Sequence, residues 1–184
     1  MSDGGWLQRT HTCGELRASD AGKTVILNGW VESLRDHGGL RFIDLRDRYG
    51  ITQVVLSPDS PYGPDLEKVR PEFVIAIQGD IRGRPQGMEN PKIPTGQIEV
   101  VAGTLQILNQ SRVVPFAISD ASREAAPTEA LRLQYSYLHL RRKKVQKNFI
   151  FRHQANQLIR GLLTGEGFIE IETPFLGKST PEGA

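Results

Sequence analysis

The sequence predicts a mainly β fold that gives way to a helical C-terminal segment. Three observations lead there. Five apolar runs rich in Val, Ile, Leu and Phe lie before residue 110, separated by turns bearing Gly and Pro. A long stretch from about Arg142 to Thr164 then carries apolar residues at helical spacing. Finally, eight basic residues and no acid fall between Leu131 and Thr164 (Arg132, Arg141, Arg142, Lys143, Lys144, Lys147, Arg152 and Arg160), so the two parts differ in charge as well as in period.

Each element has its own local reason. Val25 to Val31 is a β-rich run, followed by the Gly-bearing loop Asp36 to Gly39. Leu40 to Arg46 alternates, with Leu40, Phe42 and Asp44 on one face and Arg41, Ile43 and Leu45 on the other. Asp47 to Gly50 is a turn, and Ile51 to Leu56 completes a hairpin. After a turn-rich stretch from Pro58 to Pro64, Asp65 to Arg70 can form a short helix closed by Pro71. Phe73 to Arg84 is a fourth strand with a bend or bulge at Gly79. Three prolines and two glycines make Pro85 to Gly96 a loop. Gln97 to Leu108 is the fifth strand, where Ile98, Val100 and Ala102 oppose Glu99 and Val101.

Five strands, a Gly loop after the first, a short helix before the fourth and a long loop before the fifth match an OB-fold barrel. Another small barrel or sandwich fits the same local pattern. Asn109 to Pro127 reads as a linker, and Thr128 as the N-cap of a short helix through Gln134. On the long helix, Val145, Phe149, Arg152, Asn156 and Ile159 form one row beside a second of Phe151, Ala155, Leu158, Leu162 and Leu163. Gly165 is its stop, and Phe168 to Thr173 alternates as a strand ended by Pro174.

Composition removes several classes. The net charge of the 184 residues is only +2, yet outside the basic segment 15 basic face 21 acidic residues. An acidic body with one basic segment suggests two functional parts, with a polyanion near the second. No apolar run approaches the roughly 20 residues of a membrane span. The single cysteine, Cys13, makes no internal disulfide and points to a reducing compartment, the cytoplasm. His11 and Cys13 are followed by no second ligand pair, so a zinc site is not expected. No Gly-rich Lys-Ser/Thr phosphate loop is present.

Two strings are distinctive: Gly29 to Val55 (GWVESLRDHGGLRFIDLRDRYGITQVV), and Gly167 to Pro174 (GFIEIETP) with Ser179 to Ala184 (STPEGA) after it. With Tyr137 to Arg142 (YLHLRR) between them, the chain resembles the bacterial aspartate–tRNA ligase family over essentially its whole length. The resemblance implies an OB-fold anticodon-binding domain over residues 1–109 and a hinge over 110–141. It implies the start of a class II α+β catalytic domain over 142–184, with motif 1 forming a dimer interface that ends at Pro174. Family residues that would read the anticodon fall here on Arg35, Phe42, Gln53, Asn90 and Glu99. Phe42 would stack the central uracil, and the Glu99 carboxylate would meet the donor edge of guanine. Phe42 as a core residue and the charged positions as solvated strand faces are the plainer readings of the same residues.

Further implications follow from the family. Enzymes that charge both aspartate and asparagine tRNAs tend to have His and Gly where this chain has His37 and Gly87, implying relaxed tRNA choice. Glu182 matches a loop that closes over the amino acid, and His139 stands where the family commonly has Asp. ATP, Mg2+, L-aspartate and a homodimer belong to the full-length enzyme, whose remaining motifs would lie beyond Ala184, so this chain alone is expected to bind tRNA without charging it. The basic segment can contact tRNA phosphates or coat an interdomain helix. A self-sufficient OB-fold nucleic-acid-binding module and a dimerisation piece without ligase activity remain the alternative readings.

Overall fold

The computed structural model describes residues 5, 7–119 and 126–177. The chain divides into two units between Val114 and Pro115. The first holds β1 (Thr24–His37), β2 (Leu40–Arg46), β3 (Ile51–Leu56), a one-turn helix α1 (Gly63–Leu66), β4 (Val74–Gly83) and β5 (Ile98–Asn109). These strands close a barrel in the order β1-β2-β3-β5-β4, with β3 and β5 parallel and the other pairs antiparallel. Period-2 alternation fills it: Leu27, Val31, Ile43, Leu45, Val54, Ile75, Ile77, Ile98 and Val100 are fully buried. Leu66 of α1 and Leu16 of the N-terminal segment join the same core.

β1 runs six residues past the expected end at Val31, so His37 closes a strand instead of sitting in a loop. The physical reason is a β-bulge. Val31 pairs with Leu45 and Ser33 with Asp44, leaving Glu32 as an extra residue opposite β2. Val31 and Leu34, three apart, can then both face the core, while Ser33 and Arg35 face outward. Gly79 also lies at a register shift, between β4 and β5, where a side chain would collide with the Val101 carbonyl. The short helix occupies Gly63–Leu66, ahead of the expected Asp65 to Arg70, because Pro64 at its first turn presets the helical φ.

The second unit contains α2 (Glu129–Gln134), α3 (Ser136–His139) and α4 (Lys143–Gly165). Thr128 caps α2, its hydroxyl accepting from the Leu131 amide. α4 stops where expected, with Gly167 at φ 85° supplying the left-handed residue. No residue of α4 is buried, so its apolar rows stand uncovered. The expected strand from Phe168 to Thr173 does not form; the segment, Pro174 included, is irregular and exposed. Alternation marks a face but cannot supply hydrogen bonds, and no strand among the described residues pairs with it. The Nδ1 atom of His139 is buried without a partner among the described residues. Glu182 lies outside the described residues.

Candidate nucleic-acid interface

Beyond the bulge, β1 no longer pairs with β4, so residues 33–37 pair only with β2. This arm and the β4–β5 connection enclose a cleft of about 780 Å³ on the barrel. Arg35, His37 and Phe42 line one side, Asn90 lines the connection, and Gln53 and Glu99 form part of the sheet floor. All five residues expected to read a single-stranded loop, and His37 with them, therefore share one concavity. Arg35 and Phe42 are direct cross-strand partners, and Phe42 is half-buried on the outer face, not in the core.

A row of polar side chains ties the floor together across all five strands. The Ser33 hydroxyl donates to Asp44 at 2.7 Å, and Arg35 Nη2 donates to Asp44 at 2.9 Å and to Gln53 Oε1 at 3.4 Å. Gln53 Nε2 donates to Glu99 Oε2 at 2.8 Å, and Arg82 Nε donates to Glu99 Oε1 at 2.8 Å. Glu99 is only 3% exposed, and a buried carboxylate is tolerable because each oxygen accepts from a separate donor. These bonds also fix the orientation of the Gln53 amide.

Arg84 completes the wall. Its Nε donates to the Ile98 carbonyl at 2.9 Å, while Nη2 is buried without a partner among the described residues. Burial pulls its pKa below the usual arginine range, the Glu99 and Asp44 carboxylates oppose that shift, and Arg35 adds to it.

The β4–β5 connection is a built loop. Met88 donates to the Pro85 carbonyl, and Gly87, at φ 82°, takes the turn position that only glycine fills without strain. Asn90 donates to the Gly96 carbonyl at 2.9 Å, pinning its own backbone. Gly87 thus shapes the loop and does not itself line the cleft.

An aromatic face beside fixed donors and acceptors, in a cleft where Arg35 and Arg82 are paired with carboxylates, suits unstacked bases. Comparison with known proteins agrees. Residues 25–108 match the model for an OB-fold nucleic acid binding domain, and residues 128–184 that for class II tRNA synthetases (D, K and N). The aspartate–tRNA(Asp/Asn) ligase of Acidobacterium capsulatum is 53% identical over 98% of this chain and 29% of its own length. The aspartate–tRNA ligase of Fervidobacterium nodosum is 49% identical over 97% of the chain and 30% of its own length. Over almost its whole length the chain is similar to class II aspartate–tRNA ligases. It spans about three-tenths of the length of these relatives. Among solved structures, a putative aspartyl-tRNA synthetase from Leishmania major superposes with a TM-score of 0.78 at 19% identity, over 95% of this chain and 36% of that one. Asparaginyl-tRNA synthetase from Pyrococcus horikoshii gives 0.74 at 24% identity, over 92% and 37%. At these identities the likeness is one of fold, and it supports the OB-fold.

Within this ligase-like chain, sequence reasoning missed Asp44, Arg82 and Arg84. Alternation placed Asp44 on the face of Phe42, which was a usable signal. Arg82 and Arg84 share a strand parity but carried no cue that β5 would bring Glu99 beside them.

Proposed function

We propose that the barrel unit recognises the anticodon loop of a tRNA, as the recognition part of an ATP-dependent aspartate–tRNA ligase. The observation that carries this reading is the shared cleft: Phe42 offers a stacking face while Arg35, Gln53, Asn90 and Glu99 converge around it. Recognition comes from placed groups, because residues 23–109 hold nearly equal numbers of acids and bases. Phe42→Ala removes a stacking platform worth about 1–3 kcal/mol. Binding of an aspartate anticodon stem-loop to this chain is measured across salt concentrations. Unchanged affinity for Phe42→Ala removes the cleft from recognition, and a flat salt response removes any phosphate contact.

The Asp/Asn designation of relatives such as the Acidobacterium capsulatum ligase, with His37 in the cleft and Gly87 shaping its loop, supports relaxed choice between aspartate and asparagine tRNAs. Charging of purified asparagine tRNA by the complete ligase tests this, and failure to charge it rules the reading out. In the complete ligase, L-aspartate is activated with ATP and Mg2+, in the cytoplasm and as a homodimer whose interface includes the segment ending at Pro174. Glu182 belongs to its amino-acid loop. No group of three or more His, Cys, Asp or Glu side chains that could hold a metal occurs among the described residues. On this reading the ATP and Mg2+ chemistry belongs to the part of the relatives that this chain does not match, and the chain tested alone binds tRNA without aminoacylating it.

A further inference from the structure

Each of the three arginines lining the cleft already has an acceptor within the protein: Arg82 on Glu99, Arg84 on the Ile98 carbonyl and Arg35 on Asp44. Two of the three, Arg35 and Arg82, are thereby paired with a carboxylate, and that pairing matters for a surface meeting RNA because an unpaired cation gains affinity for any phosphate. Glu99 is assigned to base reading in the function proposed above, whereas Asp44 is not. Yet both of its oxygens are engaged, Oδ1 by Arg35 at 2.9 Å and Oδ2 by the Ser33 hydroxyl at 2.7 Å. Its Cα partners are Ser33 and Gln53, so it stands on the outer face between the two strands that Arg35 spans. The Asp44 side chain is 27% exposed and that of Arg35 55%, so the more enclosed group anchors the more exposed one.

We propose that Asp44 is a specificity-determining residue acting through Arg35. Its carboxylate holds the guanidinium flat against β2 and β3, in reach of base edges, and cancels the charge that would attract the backbone of any single strand. Specificity is a difference of affinities, and it falls when the wrong partner gains as much as when the right one loses. The inference rests on the cleft being the single-stranded RNA site proposed above.

The test uses this chain with two RNAs of equal length, an aspartate anticodon stem-loop and oligo(A), titrated at several salt concentrations. Asp44→Asn is nearly isosteric and retains an acceptor for Ser33; Asp44→Ala is a second variant, and thermal melts establish that both fold. Oligo(A) affinity rises roughly threefold or more, its salt slope steepens by about one phosphate contact, and preference for the stem-loop falls about tenfold. In the Arg35→Ala background, Asp44→Asn changes that preference by less than about twofold, because the group it restrains is gone. A loss of similar size for both RNAs, no change for either, or a full effect persisting without Arg35 overturns the proposal. If the unaltered chain does not prefer the stem-loop, the cleft reading itself fails and carries this inference with it.

Discussion

Arg46 donates two hydrogen bonds from one nitrogen to the two carboxylate oxygens of Glu72, at 3.0 and 2.8 Å, and both side chains are only 8% exposed. Arg46 also reaches Glu32, the bulge residue of β1, at 3.4 Å. Glu72 sits at φ 66°, a left-handed conformation that costs a non-glycine residue roughly 1–2 kcal/mol. Its amide donates to the Val31 carbonyl at 2.7 Å, and the Val31 amide donates to Phe73 at 2.9 Å. The strained residue therefore clasps the strand where it bulges. Beyond that point Arg35 turns outward.

Removing the acidic partner leaves a buried guanidinium with one longer contact. Glu72→Gln is expected to lower unfolding free energy by about 3 kcal/mol, the lower end for breaking a buried pair, since Glu32 remains. Urea unfolding at constant m-value measures it. A loss below about 1 kcal/mol means that water already reaches the pair.

Cys13 is chemically quiet while the chain is folded. Burial is the main cause that pushes its thiol far above the usual range, the Asp47 carboxylate adds to this, and Arg9 opposes it. Iodoacetamide near pH 8 is expected to spare the native chain and alkylate it in urea. The sign of the linkage follows. A raised folded pKa gives a contribution present below the unfolded value, about 8.5, that is lost as pH rises beyond it. Rapid native alkylation would show that the pocket around Cys13 opens.

Gly96 governs the loop that carries Asn90. A methyl group there would collide with the Asn90 carbonyl, which is backbone and cannot swing aside. Gly96→Ala should therefore displace Asn90 and weaken stem-loop binding severalfold, or roughly 1 kcal/mol. Wild-type affinity would show that Asn90 is dispensable.

On α4, Arg160 grips Glu170 through three hydrogen bonds of 2.8–3.1 Å. These hold the Glu170 carboxyl below its usual range, mainly through hydrogen bonding and then through charge. The pair is thus intact above the unfolded glutamate value, near 4.3, and is released as pH falls through the lower folded one. A carboxyl NMR titration of Glu170 is expected to show a midpoint below 4.3, moving toward it in Arg160→Gln. A midpoint at 4.3 or higher contradicts the pairing.

Much of the barrel was legible because strand signals are local. β2 and β3 run over the residues their alternation indicated, and β4 and β5 differ only at their ends. The sequence pattern ends β1 too early because strict alternation breaks after Val31, and a bulge looks the same as a strand end in one dimension. The apolar spacing from Val31 to Leu34 was the available clue. The segment after α4 failed in the opposite direction: its alternation is clean, but pairing needs a second strand.

By itself, the sequence determined which residues alternate, where the turns fall, that Phe42 shares a face with Asp44, and which family the chain resembles. Only the tertiary structure decided how the candidate binding face is assembled. Closing the barrel lays β3 parallel to β5, so Gln53 meets Glu99, 46 residues away, and Arg82 meets Glu99 from the other side. One extra residue at Glu32 decides that Arg35 looks into the cleft and pairs with Asp44. Side-chain parity is local to each strand, whereas register, bulges and closure depend on what the neighbouring strands demand.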